Sequence, residues 1–186
     1  MITSLLLFCG SRTGHDPAQA ELAAAIGTLC AERGVTLVYG GGGIGLMGIA
    51  ARAALAAGGE VIGVIPEALK TAEIAQEGLS ELIVVDTLHA RKAIMHQRSD
   101  AILAIAGGIG TLDELFESMT WRELGIHAKP IWVMGANGFW APFLGLIDHL
   151  SATGFAPANL SQLAVPLADL AALGAQLPPP GSLRHS

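Results

Sequence analysis

Short apolar runs recur along the chain, most of them followed by a glycine-rich break and then by a stretch with helical periodicity. That alternation predicts strands feeding helices. Residues 4–8 read as a first strand, 18–33 as an alanine-rich helix closed by Gly34, and 35–39 as a second strand. The break at Gly40, Gly41, Gly42 and Gly43 leads to a helix over 45–57, ended by Gly58 and Gly59, and then to a third strand over 61–65, stopped by Pro66. Residues 67–80 read as a loop with a short helix, 82–85 as a strand and 88–98 as a helix. A fifth strand over 101–105 runs into Gly107, Gly108 and Gly110, and the next helix spans 111–124 before Gly125. A strand over 130–134 and a helix over 140–150 follow, with Val165 in a short edge strand and a proline-rich tail expected to fray from Pro178 to Pro180.

Strands in alternation with helices predict an α/β fold: a Rossmann-like, doubly wound and mostly parallel sheet with helices on both faces. No internal repeat or linker divides the chain, so residues 1–186 read as a single domain whose last residues, from 176, form a flexible tail. Ligands of this class bind outside the carboxyl ends of strands. Three glycine clusters fall at such ends: Gly10 with Ser11, the run containing Gly41 and Gly42, and Gly107 to Gly110.

Composition narrows the partners. Charged residues make up only 14% of the chain and mean hydropathy is +0.54, so part of the surface is expected to be covered by a second subunit. An uncharged stretch of 18 residues, 34–51, holds seven glycines clustered at a turn, which argues against a membrane span. The opening Leu-rich run lacks a basic flank and is too short for a secretory signal. Cys9 and Cys30 read as free thiols of a reducing cytoplasm. A net charge of −6 with scattered Lys and Arg argues against a nucleic-acid binder. An anionic ligand then has to be held locally, by glycine-rich backbone and helix N-termini.

The segment AGGIGTLDE, from Ala106 to Glu114, joins a buried strand to a helix through three glycines, Ile109 and Thr111. Several amides and a helix N-terminus then converge where a phosphate fits, although close helix–sheet packing explains the same glycines. The segment YGGGGIGLMG, from Tyr39 to Gly48, carries the same two readings. On the helix over 88–98, Leu88, Arg91, Lys92 and Met95 share one broad side, either as a grip on a phosphorylated, base-containing ligand or with the cationic pair on a solvated face. Asp113 and Glu114 sit in a first helical turn, where carboxylates favour the macrodipole, yet one of them is free to be catalytic. His89 and His96 lack a third ligand at any recognisable spacing, so no metal is assigned.

Taken together, LHARK and AGGIGTLDE resemble the Lonely Guy family of cytokinin-activating phosphoribohydrolases, whose pattern is an ERK-type helix followed by PGGxGTxxE. The likeness extends through FCGSRTG, YGGGGIGLMG, GVIPEAL, LIVVDTLHARK and TWRELGIHAKPI. The resemblance implies a homodimer, without cofactor, that cleaves adenosine monophosphate-type nucleotides, including N6-prenylated ones, into free base and ribose 5-phosphate. It places the catalytic pair on Arg91 and Glu114 and the phosphate loop on Gly107, Gly108, Ile109, Gly110 and Thr111, with Leu112, Asp113 and Lys92 adjacent. Further substrate contacts map to Glu73 and Thr120; helical geometry turns Thr120 away from Glu114, toward a role across a subunit interface.

Two positions depart from the pattern. Ala106 stands where the family has proline, which implies a looser loop, and Ala90 stands where it has glutamate, which implies lower activity or altered specificity. The chemistry implied is a carboxylate, Glu114, stabilising positive character on the sugar carbon and orienting water. An arginine holds its proton too firmly to be a general acid, so the fork of Arg91 holds base or phosphate and positions Glu114. The rival readings are a non-catalytic nucleotide or molybdenum-cofactor carrier, disfavoured by the presence of both Arg91 and Glu114, and an oligomeric scaffold. A pyridoxal-dependent lysine decarboxylase is disfavoured because Lys70, Lys92 and Lys129 sit in no pyridoxal motif.

Overall fold

A computed structural model describes residues 1–70 and 75–181. Its strands are β1 (Ser4–Phe8), β2 (Thr36–Tyr39), β3 (Val61–Pro66), β4 (Glu81–Val85), β5 (Ala101–Ala104), β6 (Ile131–Val133) and β7 (Val165–Pro166). The helices are α1 (Pro17–Glu32), α2 (Gly45–Ala56), α3 (Leu88–Gln97), α4 (Ile109–Glu123), α5 (Ala141–Ala152) and α6 (Leu170–Gln176). Every strand pair is parallel, in the order β4-β3-β2-β1-β5-β6-β7. The chain therefore winds outward in one direction from β1 and in the other from β5. The crevice between those two strands is the topological switch point.

Alternation along the central strands sorts the core into two layers. Leu5, Leu7 and Cys9 face α1, α2 and α6, where they meet Ile26, Ala50 and Leu173. Leu6 and Phe8 face α3, α4 and α5, where they meet Met95, Leu115 and Phe143. Each fully buried Leu or Ile removes apolar surface worth about 1.5–3 kcal/mol from water. Both faces are thus covered, which is why the central strands read as continuous apolar runs.

Three boundaries differ from the sequence reading for physical reasons. Helix α4 starts at Ile109, so only Gly107 and Gly108 form the turn and Gly110 lies inside the first helical turn, where an early glycine costs little. Helix α6 was not legible because it is short; Asp169 starts it by accepting the Ala172 amide at 2.8 Å. In the tail, Leu177 and Pro178 are buried, and the Pro178 carbonyl accepts a hydrogen bond from Arg33 at 2.9 Å, so the chain is fastened that far.

Helices α3 and α4 carry the candidate catalytic pair, and two contacts set their relation. The Lys92 ammonium of α3 is held by Asp113 at 3.0 Å and Glu117 at 3.1 Å, both on α4. One turn further along α3, His96 Nε2 lies 3.0 Å from Ser118 Oγ, with its ring 4.6 Å from Trp121 and 5.3 Å from His127. Burial, aided by the neighbouring charges of His127, Lys129 and Lys92, lowers the His96 pKa to about 3, so the ring is neutral at physiological pH. The TWRELGIHAKPI stretch thereby acquires a packing role: it supplies Trp121, His127 and Lys129 to this junction.

Candidate functional site

A cleft of about 660 Å³ opens at the carboxyl ends of β1, β5 and β6, the place the switch-point rule selects. Its lining includes Gly10 and Ser11 after β1, Gly107 through Thr111 after β5, and Arg91 and Glu114 from α3 and α4. Glu114 is half-buried and Thr111 is buried.

Arg91 is only 6% exposed, so its charge requires partners. Its Nε donates to the Val64 carbonyl at 3.1 Å and its Nη2 to the Gly40 carbonyl at 2.6 Å. Carbonyls at the ends of β3 and β2 thus hold the guanidinium beneath the cleft. The glycine at position 40 is required by this arrangement: a Cβ there would lie 2.1 Å from Nη2 and 3.0 Å from Cζ. A solvated face for the Arg-Lys pair is overturned, since both residues are buried.

Cys9 also lines the cleft, but burial, together with the negative charge of Glu114, raises its thiol far above the usual range, and Arg91 offsets this only in part. It is a neutral thiol in the floor of the cleft and no nucleophile at physiological pH.

The loop after β5 is tight although Ala106 replaces the expected proline. The Gly10 amide donates to the Ala106 carbonyl at 3.0 Å, and a Cβ at Gly107 would lie 2.1 Å from Thr111 Oγ1 and 2.9 Å from the Gly10 amide nitrogen. Close packing therefore fixes what a proline ring would fix. Gly108 precedes the first residue of α4 and no side chain caps that helix start, which leaves its amides facing the cleft for an anion. Helix α1 contrasts: Asp16 caps it by accepting the Ala18 amide at 3.0 Å, and its other oxygen accepts from Asn137 at 2.8 Å.

Several residues assigned to substrate in the sequence lie elsewhere. Lys92 and Asp113 form their ion pair outside the cleft lining. Met95 is fully buried in the second core layer, and Leu112 packs against that layer. Gly41 and Gly42 lead into the segment that meets Gln76 and Ala75, with the Gly41 carbonyl accepting from the Gln76 amide at 3.0 Å. Thr120 is exposed, its hydroxyl donating to the Phe116 carbonyl at 2.8 Å. Ala90 packs against the second layer, and Glu73 lies outside the described residues.

Other lining residues went unnoticed in the sequence. Arg12, Thr13, His15 and Asp16 follow the first strand, and Asn137 and Phe139 follow β6. The signal for the second group was present as GANG, a glycine cluster at a fourth strand end. Asn137 takes the left-handed backbone conformation there, with φ 52°.

The fold and the cleft define a doubly wound α/β protein with a strand-end site suited to a phosphorylated ligand. Comparison with known proteins makes the class specific. Residues 47–177 match a family model described as possible lysine decarboxylase. The chain is 43% identical over 164 residues to the cytokinin riboside 5′-monophosphate phosphoribohydrolase of Rhodococcoides fascians, covering 87% of this chain and 83% of that protein. It is 43% identical over 151 residues to the enzyme of the same name, LOG1, from Arabidopsis thaliana, covering 81% and 71% respectively. The chain belongs to the cytokinin riboside 5′-monophosphate phosphoribohydrolase family. Among solved structures, the molybdenum cofactor carrier protein of Chlamydomonas reinhardtii aligns with a TM-score of 0.70 over 95% of this chain and 96% of that one, at 22% identity, a likeness of fold alone. As for the decarboxylase description, none of the three lysines lines the cleft.

Proposed function

We propose that the chain hydrolyses the N-glycosidic bond of adenine or N6-substituted adenine nucleoside 5′-monophosphates, giving free base and ribose 5-phosphate. The observation that carries this reading is a single cleft lined by Glu114, by Arg91 and by the uncapped start of α4. The α4 amides hold the phosphate and place the sugar carbon beside Glu114. As the bond to the base breaks, positive character on that carbon is stabilised by the carboxylate, which also orients the attacking water. Arg91, held by two carbonyls, keeps its charge fixed near Glu114 and the base. The carrier reading leaves a carboxylate and a buried guanidinium in one cleft without a task.

Base release from adenosine 5′-monophosphate, set beside adenosine, tests the proposal. The monophosphate is expected to react at least tenfold faster, and equal rates would sink the phosphate assignment.

We further infer a homodimer bordering the site. Leu82 and Val84, on one face of the edge strand β4, are 38% and 42% exposed, and Leu88, at the start of the helix that carries Arg91, is 53% exposed; a second copy would cover these apolar side chains. A solution mass of one chain at micromolar concentration, with full activity, contradicts it. A reducing cytoplasm suits the two buried free thiols, Cys9 and Cys30, and no helix among the described residues is long and apolar enough to cross a membrane.

A further inference from the structure

A bound monophosphate brings close to two negative charges into the cleft, and the amides of α4 supply only partial positive charge. The structure narrows which side chain meets the rest. Lys92 is outside the cleft lining, neutralised by Asp113 and Glu117. Arg91 is directed to the Val64 and Gly40 carbonyls. The start of α1 is already occupied by the Asp16 carboxylate, which satisfies that helix end and repels an anion from it.

Arg12 differs from all of these. It lines the cleft, is exposed, and makes no hydrogen bond or ion pair with any other described residue. Its backbone is nevertheless fixed: a Cβ on Gly45 would lie 2.4 Å from the Arg12 amide nitrogen, and one on Gly10 would lie 3.0 Å from the Arg12 carbonyl oxygen. A long cationic side chain therefore rises from an anchored loop at the rim of the site, with its donors uncommitted among the described residues.

We propose that Arg12 is the side chain that grips the 5′-phosphate, from the β1–α1 loop, while the first amides of α4 hold the same group. This rests on the phosphoribohydrolase reading for the identity of the substrate. The guanidinium fork suits phosphate oxygens, and its placement makes Arg12 a binding and specificity residue without a part in bond cleavage.

The test uses Arg12→Ala and Arg12→Lys in the full chain, with ribose 5-phosphate as the titrated probe and adenosine 5′-monophosphate as substrate. Arg12→Ala is expected to weaken ribose 5-phosphate binding about tenfold, the effect of one charge-assisted hydrogen bond at a partly exposed site. KM for the monophosphate should rise by a similar factor with kcat within about twofold, and Arg12→Lys should recover part of the loss. Unchanged ribose 5-phosphate affinity in Arg12→Ala, or a fall in kcat at constant KM, overturns the assignment. If the wild-type chain releases no base yet loses ribose 5-phosphate affinity on Arg12→Ala, the hydrolase reading fails and the phosphate grip stands. If it hydrolyses the monophosphate and Arg12→Ala leaves KM unmoved, only the grip fails.

Discussion

Replacing Glu114 with glutamine is expected to lower turnover of adenosine 5′-monophosphate by about 100-fold or more while leaving its binding in place. The substitution keeps shape and hydrogen-bonding reach but removes the negative charge that faces the developing cation. Asp113→Asn is the matched control, because Asp113 is the neighbouring carboxylate; α4 starts at Ile109, so the two lie in its second turn and not, as the sequence suggested, in its first, where the macrodipole would favour them. Asp113 is 63% exposed and pairs with Lys92, so its loss should cost little activity. Equal, small losses in the two variants would leave Glu114 without a catalytic part and favour a carrier.

The second large effect is expected at Gly40, which meets the site chiefly through Arg91. Its φ is outside the left-handed region, so alanine suits the backbone, yet the added methyl would lie 2.1 Å from Arg91 Nη2 and 3.2 Å from Met47 Sδ. The guanidinium must then shift from its place against the two carbonyls. A displacement of an ångström at a positioned group costs about 100-fold in rate, and that loss is expected for Gly40→Ala with the fold retained by circular dichroism. Because the severe clash is with Arg91 and the contact with Met47 is milder, Gly40→Ala combined with Arg91→Ala should be little worse than Arg91→Ala alone. Additive losses, or near wild-type turnover in Gly40→Ala, would contradict this.

The strands and the glycine-rich ends were legible because burial on both faces leaves a continuous apolar signal, as in Leu5 to Phe8, and because a parallel sheet puts its loops at one end. Arg91 and Lys92 show where legibility stopped. Neighbours on a helix are about 100° apart, so a pair read as one cationic grip divides, one guanidinium passing under β2 and β3 and one ammonium turning to α4. Only tertiary packing decides which goes where. Met95 followed the same helical side into the core, since apolar periodicity cannot distinguish a ligand wall from a sheet contact. Arg12 and Asn137 escaped notice because single polar residues in short loops carry no periodicity. Their place in the site comes from the order of the strands, which brings the ends of β1, β5 and β6 together.

Bond cleavage itself is tested most directly by chromatography of the wild-type chain incubated separately with adenosine 5′-monophosphate and with its N6-prenylated form. The predicted result is free base and ribose 5-phosphate, appearing in equal amounts as at least one of the two monophosphates disappears. Both monophosphates remaining intact, or yielding nucleoside and inorganic phosphate, would contradict hydrolysis at the glycosidic bond.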